Sequence, residues 1–288
     1  MQSGDQGRRG TVWFGSQGLQ SDLSAQATDQ AIRFTRRATT ASQDRIPVAE
    51  KSPWDKYEAR AVYIVPGRQV TLAQHKRDKS NLVNIEQRSL DLPQAQSLIQ
   101  TIAQYSNRRY FLNLLDVFHH ERQCFLVWES VQLSLGKVLL SQCPVTEQEL
   151  AQIVWPILRG IMTLHDHGRA LATLKEDDVF LTEAGSVRIA GIENSCAIEK
   201  AQMNANTLKQ TALAEIVKGL LQNNKSETPW SSNARELPDR LIKQPLAKLL
   251  HDPIFEKLEG DGSLQMLVNI ANKTAYHRIT VLNCPPRE

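Results

Sequence analysis

The chain has no run of apolar residues approaching the roughly 18 needed to span a bilayer, no CxxC pair, and no glycine between Gly18 and Gly67. Each absence closes off a class of function. No membrane segment is expected, and residues 1–9 lack the apolar stretch of a secretory leader. Cys124, Cys143, Cys196 and Cys284 lie far apart, so neither a zinc knuckle nor a small disulfide framework is indicated, and reduced thiols in the cytoplasm or nucleus fit best. Neither sign of charge is in excess: 34 Lys and Arg against 31 Asp and Glu leave +3 over 288 residues, too balanced to hold a nucleic-acid backbone. His119, His120, His165 and His167 fall in separate turns with no Cys or carboxylate repeating at ligand spacing, so surface or capping roles suit them better than a metal centre. No Ser-His-Asp or Cys-His arrangement assembles from the local sequence.

What is present divides at about Trp54. Residues 1–53 are rich in Gln, Ser, Thr, Asp and Arg, keep no long apolar periodicity and read as a disordered polar arm, with a small basic cluster at Arg33, Arg36 and Arg37. From there on the pattern is that of a core. Tyr57–Val65 and Arg68–Lys76, joined at Pro66-Gly67, predict a hairpin. Ala95, Leu98, Ile99, Ile102 and Ala103 share one helical face over residues 92–105, with Pro93 in the first turn. Strand-type runs follow at Tyr110–Phe118 and Cys124–Val131. The clearest helix opens with the capping box Thr146 and Glu149, carries an apolar stripe from Leu150 to Leu164, is interrupted by Pro156 and stops at His167-Gly168. Short strands at Val179–Thr182 and Ser186–Ala190 come next. Further helices are predicted over Leu208–Leu221, Leu241–Leu250 and Leu264–Ala271.

This order of elements resembles that of the eukaryotic protein kinases, and local matches run from about Tyr57 to Phe255. Leu114-Leu115-Asp116-Val117-Phe118 resembles the family's fourth strand, and Leu126-Val127-Trp128-Glu129-Ser130-Val131 the strand that leads into the hinge. Gly160 to Gly168 looks like the end of the helix before the catalytic loop. Leu174-Lys175 and Val179-Phe180-Leu181 follow in register, and Gly185 to Ala190 leads to the metal-binding turn. The resemblance implies an α+β, two-lobed fold: the arm at 1–53, a small β-rich lobe at 54–131 without a glycine-rich loop, and a helical large lobe at 132–288.

The family's catalytic positions carry other residues here. Leu171-Ala172-Thr173 stands where His-Arg-Asp would precede Leu-Lys, and Thr173 has no useful basicity for accepting a substrate proton. Lys175 is retained. Asp178 replaces the Asn that holds a second Mg²⁺, and Gly191-Ile192-Glu193 replaces Asp-Phe-Gly, so Gly191 offers no metal ligand. Asp177, Asp178 and Glu193 are the candidates for gathering an ion in an altered mode. Ala73, within Val70-Thr71-Leu72-Ala73, and Lys76 compete for the place of the phosphate-pairing lysine, although strand alternation puts them on opposite faces. No acid lies in the following helix to pair with it, no Ala-Pro-Glu is found near Glu199–Asn206, and Lys209 stands where an aspartate would brace the loop. Trp128 matches the gatekeeper, Glu129 and Val131 the hinge.

These substitutions imply a pseudokinase that acts by binding, as a scaffold or allosteric regulator of another kinase or signalling protein. No cofactor, nucleic acid or membrane is then expected. The alternative is an atypical ATP-binding protein with divergent serine/threonine kinase activity, holding ATP and magnesium through Glu129, Val131, Lys76, Lys175 and Asp178.

Overall fold

The computed structural model describes residues 46–65, 68–105, 109–141, 143–223, 229–258 and 263–276, so most of the expected arm lies outside the described residues. The body begins before the change of composition at Trp54. Strand β1 (Val48–Ala49) runs parallel to a later strand, and Ser52 caps a short 3-10 turn at Pro53–Asp55. The hairpin β2 (Tyr57–Val65) and β3 (Arg68–His75) follows, with Val65 opposite Arg68.

The next strand was not expected. β4 (Leu82–Arg88) lies between the hairpin and helix α1 (Leu92–Tyr105). Asn84 and Glu86 interrupt its apolar count, yet residues 83–86 are all buried because β4 is an inner strand. Asp91 starts α1 by accepting from the Gln94 amide at 2.8 Å, while Gln94 reaches back to the Asp91 amide at 3.1 Å. β5 (Leu114–His120) and β6 (Gln123–Glu129) complete a six-stranded sheet of order β1-β5-β6-β4-β3-β2.

The chain crosses into the helical lobe through residues 130–132. β7 (Leu133–Ser134) and α2 (Leu135–Ser141) lead to α3 (Glu147–Asp166), whose capping box at Thr146 and Glu149 forms as the sequence predicts. This helix continues through Pro156, and Leu150, Ile153, Val154, Ile157, Leu158, Ile161 and Leu164 form the centre of the main core. β8 (Arg169–Ala170), β9 (Val179–Leu181), β10 (Val187–Ile189) and β11 (Cys196–Ala197) are short; β9 pairs with β7 and β10, and β8 with β11. The remaining helices are α4 (Gln210–Asn223), α5 (Ser232–Lys243), α6 (Leu246–Leu249) and α7 (Gln265–Tyr276).

The helix predicted at Leu241–Leu250 is corrected: it is the end of α5, an extended break at Gln244-Pro245, and α6. Proline disfavours helical backbone in the residue before it, so the break falls at Gln244. The architecture is thus α+β, a β-sheet lobe followed by a helical lobe, as in a kinase-like two-lobed fold. No helix among the described residues is long and apolar enough to cross a membrane.

Candidate functional site

Strand pleating decides what faces the cleft between the lobes. Successive side chains on β4 point to opposite sides of the sheet. Val83 and Ile85 enter a small cluster with Tyr57, Ala73, Phe118, Phe125 and Val127. Asn84 and Glu86 therefore point the other way, and both line the cleft. Val83-Asn84-Ile85-Glu86, on the strand directly before α1, stands where Val-Ala-Ile-Lys would carry the phosphate-pairing lysine.

That placement corrects the register read from the sequence. Ala73 is fully buried in the small cluster, on the far face of the sheet, and Lys76 is exposed beyond the end of β3. Neither lines the cleft. Glu86, which the sequence reading did not single out, faces the cleft from β4. The usable signal was the alternation of Val83 and Ile85 with polar residues just ahead of a helix start.

Glu86 belongs to a buried ionic triad. Arg88, two residues on along the same face of β4, donates from Nε to Glu86 Oε1 at 2.9 Å and from Nη2 to Glu193 Oε1 at 2.9 Å. The Glu86 and Glu193 side chains are only 5% and 3% exposed. Burial works against the charge on Arg88, but hydrogen bonds and charge from both carboxylates outweigh it, so the guanidinium titrates above its ordinary value.

Glu193 reaches this position because Gly191 turns the chain. Gly191 has φ 85° and starts a 3-10 turn at Ile192–Asn194, whose Ile192 is buried in the main core against α1. A left-handed residue favours glycine, so the turn at Gly191 aims Glu193 at the sheet lobe.

The hinge end is closed by other groups. Tyr63 donates its hydroxyl to Asn84 Oδ1 at 3.2 Å, and Asn84 Nδ2 donates to the Glu129 carbonyl at 3.4 Å. The Glu129 carboxylate accepts from the Asn113 amide at 3.0 Å, from Asn113 Nδ2 at 2.9 Å and from Arg188 Nε at 3.2 Å. Trp128 sits opposite Asn84 on β6, is buried, and lines the cleft with Val70, Leu112, Val131 and Phe180. The cleft's cavity is about 50 Å³, against the roughly 300–1,000 Å³ of ordinary small-molecule sites. The hairpin above it leaves only residues 66 and 67 between paired Val65 and Arg68, too few for a phosphate-covering loop.

Residues 171–178 are held in a structural turn. Leu171 is buried in the core, whereas Ala172, Thr173 and Lys175 are exposed. Asp178 Oδ2 accepts from Thr173 Oγ1 at 3.3 Å and from the Lys175 amide at 3.0 Å, closing the loop on itself. Asp177 Oδ1 accepts from Ser134 Oγ at 2.9 Å. The three carboxylates proposed to gather an ion thus have separate engagements, and no group of three or more His, Cys, Asp or Glu among the described residues is placed to hold a metal.

No family model matches the chain. It is similar to the serine/threonine-protein kinase shk1/pak1 of Schizosaccharomyces pombe, 21% identical over 195 residues, which is 67% of this chain and 27% of that protein. It is also similar to the serine/threonine-protein kinase ste20 of Aspergillus fumigatus, 25% identical over 140 residues, and to that of Emericella nidulans, 23% identical over 140 residues. Those two matches take in 48% of this chain and 17% and 16% of the relatives. The matched parts therefore span about a quarter or less of each curated relative, and these distant, partial similarities point to a protein-kinase-like relationship.

Proposed function

We propose that this chain is a pseudokinase, a kinase-shaped domain that binds another protein, a kinase or signalling protein, as a scaffold or allosteric regulator. The observation that carries the reading is Glu86. A carboxylate at the position of the phosphate-pairing lysine, with Glu193 beside it and the single guanidinium of Arg88 bound to both, leaves two negative charges against one positive, so attraction for a polyphosphate is lost. The substitutions at Thr173 and Gly191 support it by removing the base and the metal ligand. The large lobe also exposes apolar side chains on its helices, Leu140 on α2 and Met266 and Ile270 on α7, which suit a protein contact. Cys124, Cys143 and Cys196 are free thiols, in keeping with a cytoplasmic or nuclear location.

Thermal unfolding of the full chain titrated with ATP, with and without Mg²⁺ or Mn²⁺, tests the nucleotide half. No shift is expected, whereas a ligand at 100 times its Kd would add about 2.7 kcal/mol. Saturable stabilisation would favour the ATP-binding alternative, and phosphotransfer assays with Lys175→Ala and Asp178→Ala would then decide between a regulator and a divergent kinase. For the partner half, affinity capture compares the full chain with Leu140→Asp and Met266→Asp. A partner held equally by all three does not use the large-lobe helices.

A further inference from the structure

Arg88 joins two parts of the fold that are 105 residues apart in sequence, β4 of the sheet lobe and the turn after β10 of the helical lobe. We propose that the triad Glu86–Arg88–Glu193 is an interlobe latch that holds the cleft shut without any ligand. The latch deepens the reading of this domain as a binding scaffold, and rests on it in one respect: a cleft that no nucleotide closes needs another way to fix its lobes.

Several observations converge on this role. The guanidinium lies between two nearly buried carboxylates, one from each lobe, with a 2.9 Å hydrogen bond to each. Separating the lobes at this point breaks the charge-assisted 2.9 Å hydrogen bond between Arg88 and Glu193 while the guanidinium stays with Glu86 on β4, so the contact ties the seam. Glu86 and Glu193 line the cleft, and Arg88, the more exposed partner of the three, bridges them from β4. The Ile192 side chain, next to Glu193, is buried in the core shared with α1, so the turn that carries the latch is seated on the sheet lobe by packing as well as by charge. A second tie, Arg188 to Glu129, lies at the hinge, where the lobes meet in any arrangement. The triad ties β4 to the turn at Ile192–Asn194, away from that end.

The latch makes Arg88 and Glu193 positioning residues, and the test reads their positioning directly. Hydrogen exchange is followed on the full chain for the original sequence, Arg88→Met, Glu193→Gln, Arg88→Lys and the exchanged pair Arg88→Glu with Glu193→Arg. In the single variants Arg88→Met and Glu193→Gln, amides of β4 and of residues 191–195 should exchange about tenfold faster or more, while α3 and α4 keep their protection. Arg88→Lys should fall between, since a lysine keeps the charge but loses the fork that serves both acids. The exchanged pair keeps one cation and two anions at the seam and should recover protection. If Arg88→Met does not fold at all, recovery of a folded chain by the exchanged pair supports the latch. Unchanged exchange at the seam, an equal rise throughout the molecule, or no recovery in the exchanged pair overturns it. No nucleotide enters the experiment, so this inference and the pseudokinase reading fail separately.

Discussion

Asn84 and Glu129 meet across the two inner strands β4 and β6, the side-chain amide of one donating to the main-chain carbonyl of the other at 3.4 Å. The main-chain carbonyl next to Trp128 is thereby engaged by the chain's own amide. The contact is long and one of several at this end, so its removal has a limited cost. Asn84→Ala is expected to lower stability by about 1–2 kcal/mol, part of it from leaving the Tyr63 hydroxyl without that acceptor. It should not create ATP binding, because Glu86 and Glu193 remain. Urea unfolding and an ATP titration of the same variant check both halves.

Trp128 fills the floor of the same region and belongs to the main core. Trp128→Ala should cost about 3–5 kcal/mol, the range for truncating a large buried aromatic ring. Chemical denaturation measures it. A loss below about 1 kcal/mol would show that the indole is not packed there, since even one buried methylene is worth about that much.

Two glycines in the left-handed region separate backbone strain from steric contact. Gly191 has φ 85° and open space where a Cβ would go, so Gly191→Ala should cost only about 1–2 kcal/mol of conformational strain. At Gly185, φ is 75° and a Cβ would lie 2.5 Å from the Gln265 nitrogen and 2.9 Å from the Leu264 carbonyl carbon. Gly185→Ala must therefore displace the start of α7 as well. It is expected to destabilise more than Gly191→Ala and to raise proteolytic cleavage near residue 265. Equal losses in the two variants would rule out that close approach.

Alkali should weaken the fold. Burial pushes the Cys124 thiol from 9.0 up to about 11, and burial, with the hydrogen bond to Asp116 and its charge, raises the Tyr57 phenol as well. Both groups hold their protons longer in the folded chain than in the unfolded one. Their contribution is complete below pH 9 and is lost as pH rises toward 11 for the thiol, with the phenol extending the decline beyond. Melting temperature against pH should fall over that window, and Cys124→Ser should flatten its lower part. Alkylation at neutral pH should label exposed Cys196 well ahead of Cys124.

Local signals carried much of the fold. The Thr146 capping box, the stripe of α3 and its stop before Gly168 form as read, because each depends on residues within a turn or two of one another. The hairpin between Val65 and Arg68 is equally local. β4 was harder to read, for the opposite reason. Its polar residues are buried by strands that approach from distant sequence, and a strand with Asn84 and Glu86 on one face does not announce burial on both.

The sequence alone determined where the chain departs from the kinase pattern it resembles: Thr173, Asp178 and Gly191 can be compared with that pattern because their spacing from Leu174-Lys175 and from β10 is short and unbroken. It could not determine what surrounds those positions in the cleft. Only the tertiary structure brings Arg88 and Glu193 within 2.9 Å and turns Glu86 toward them. The physical reason is that the strand pleat at Arg88 and the left-handed turn at Gly191 are local, but the ionic contact also needs the sheet to close over the helical core, which brings together residues 105 apart in sequence.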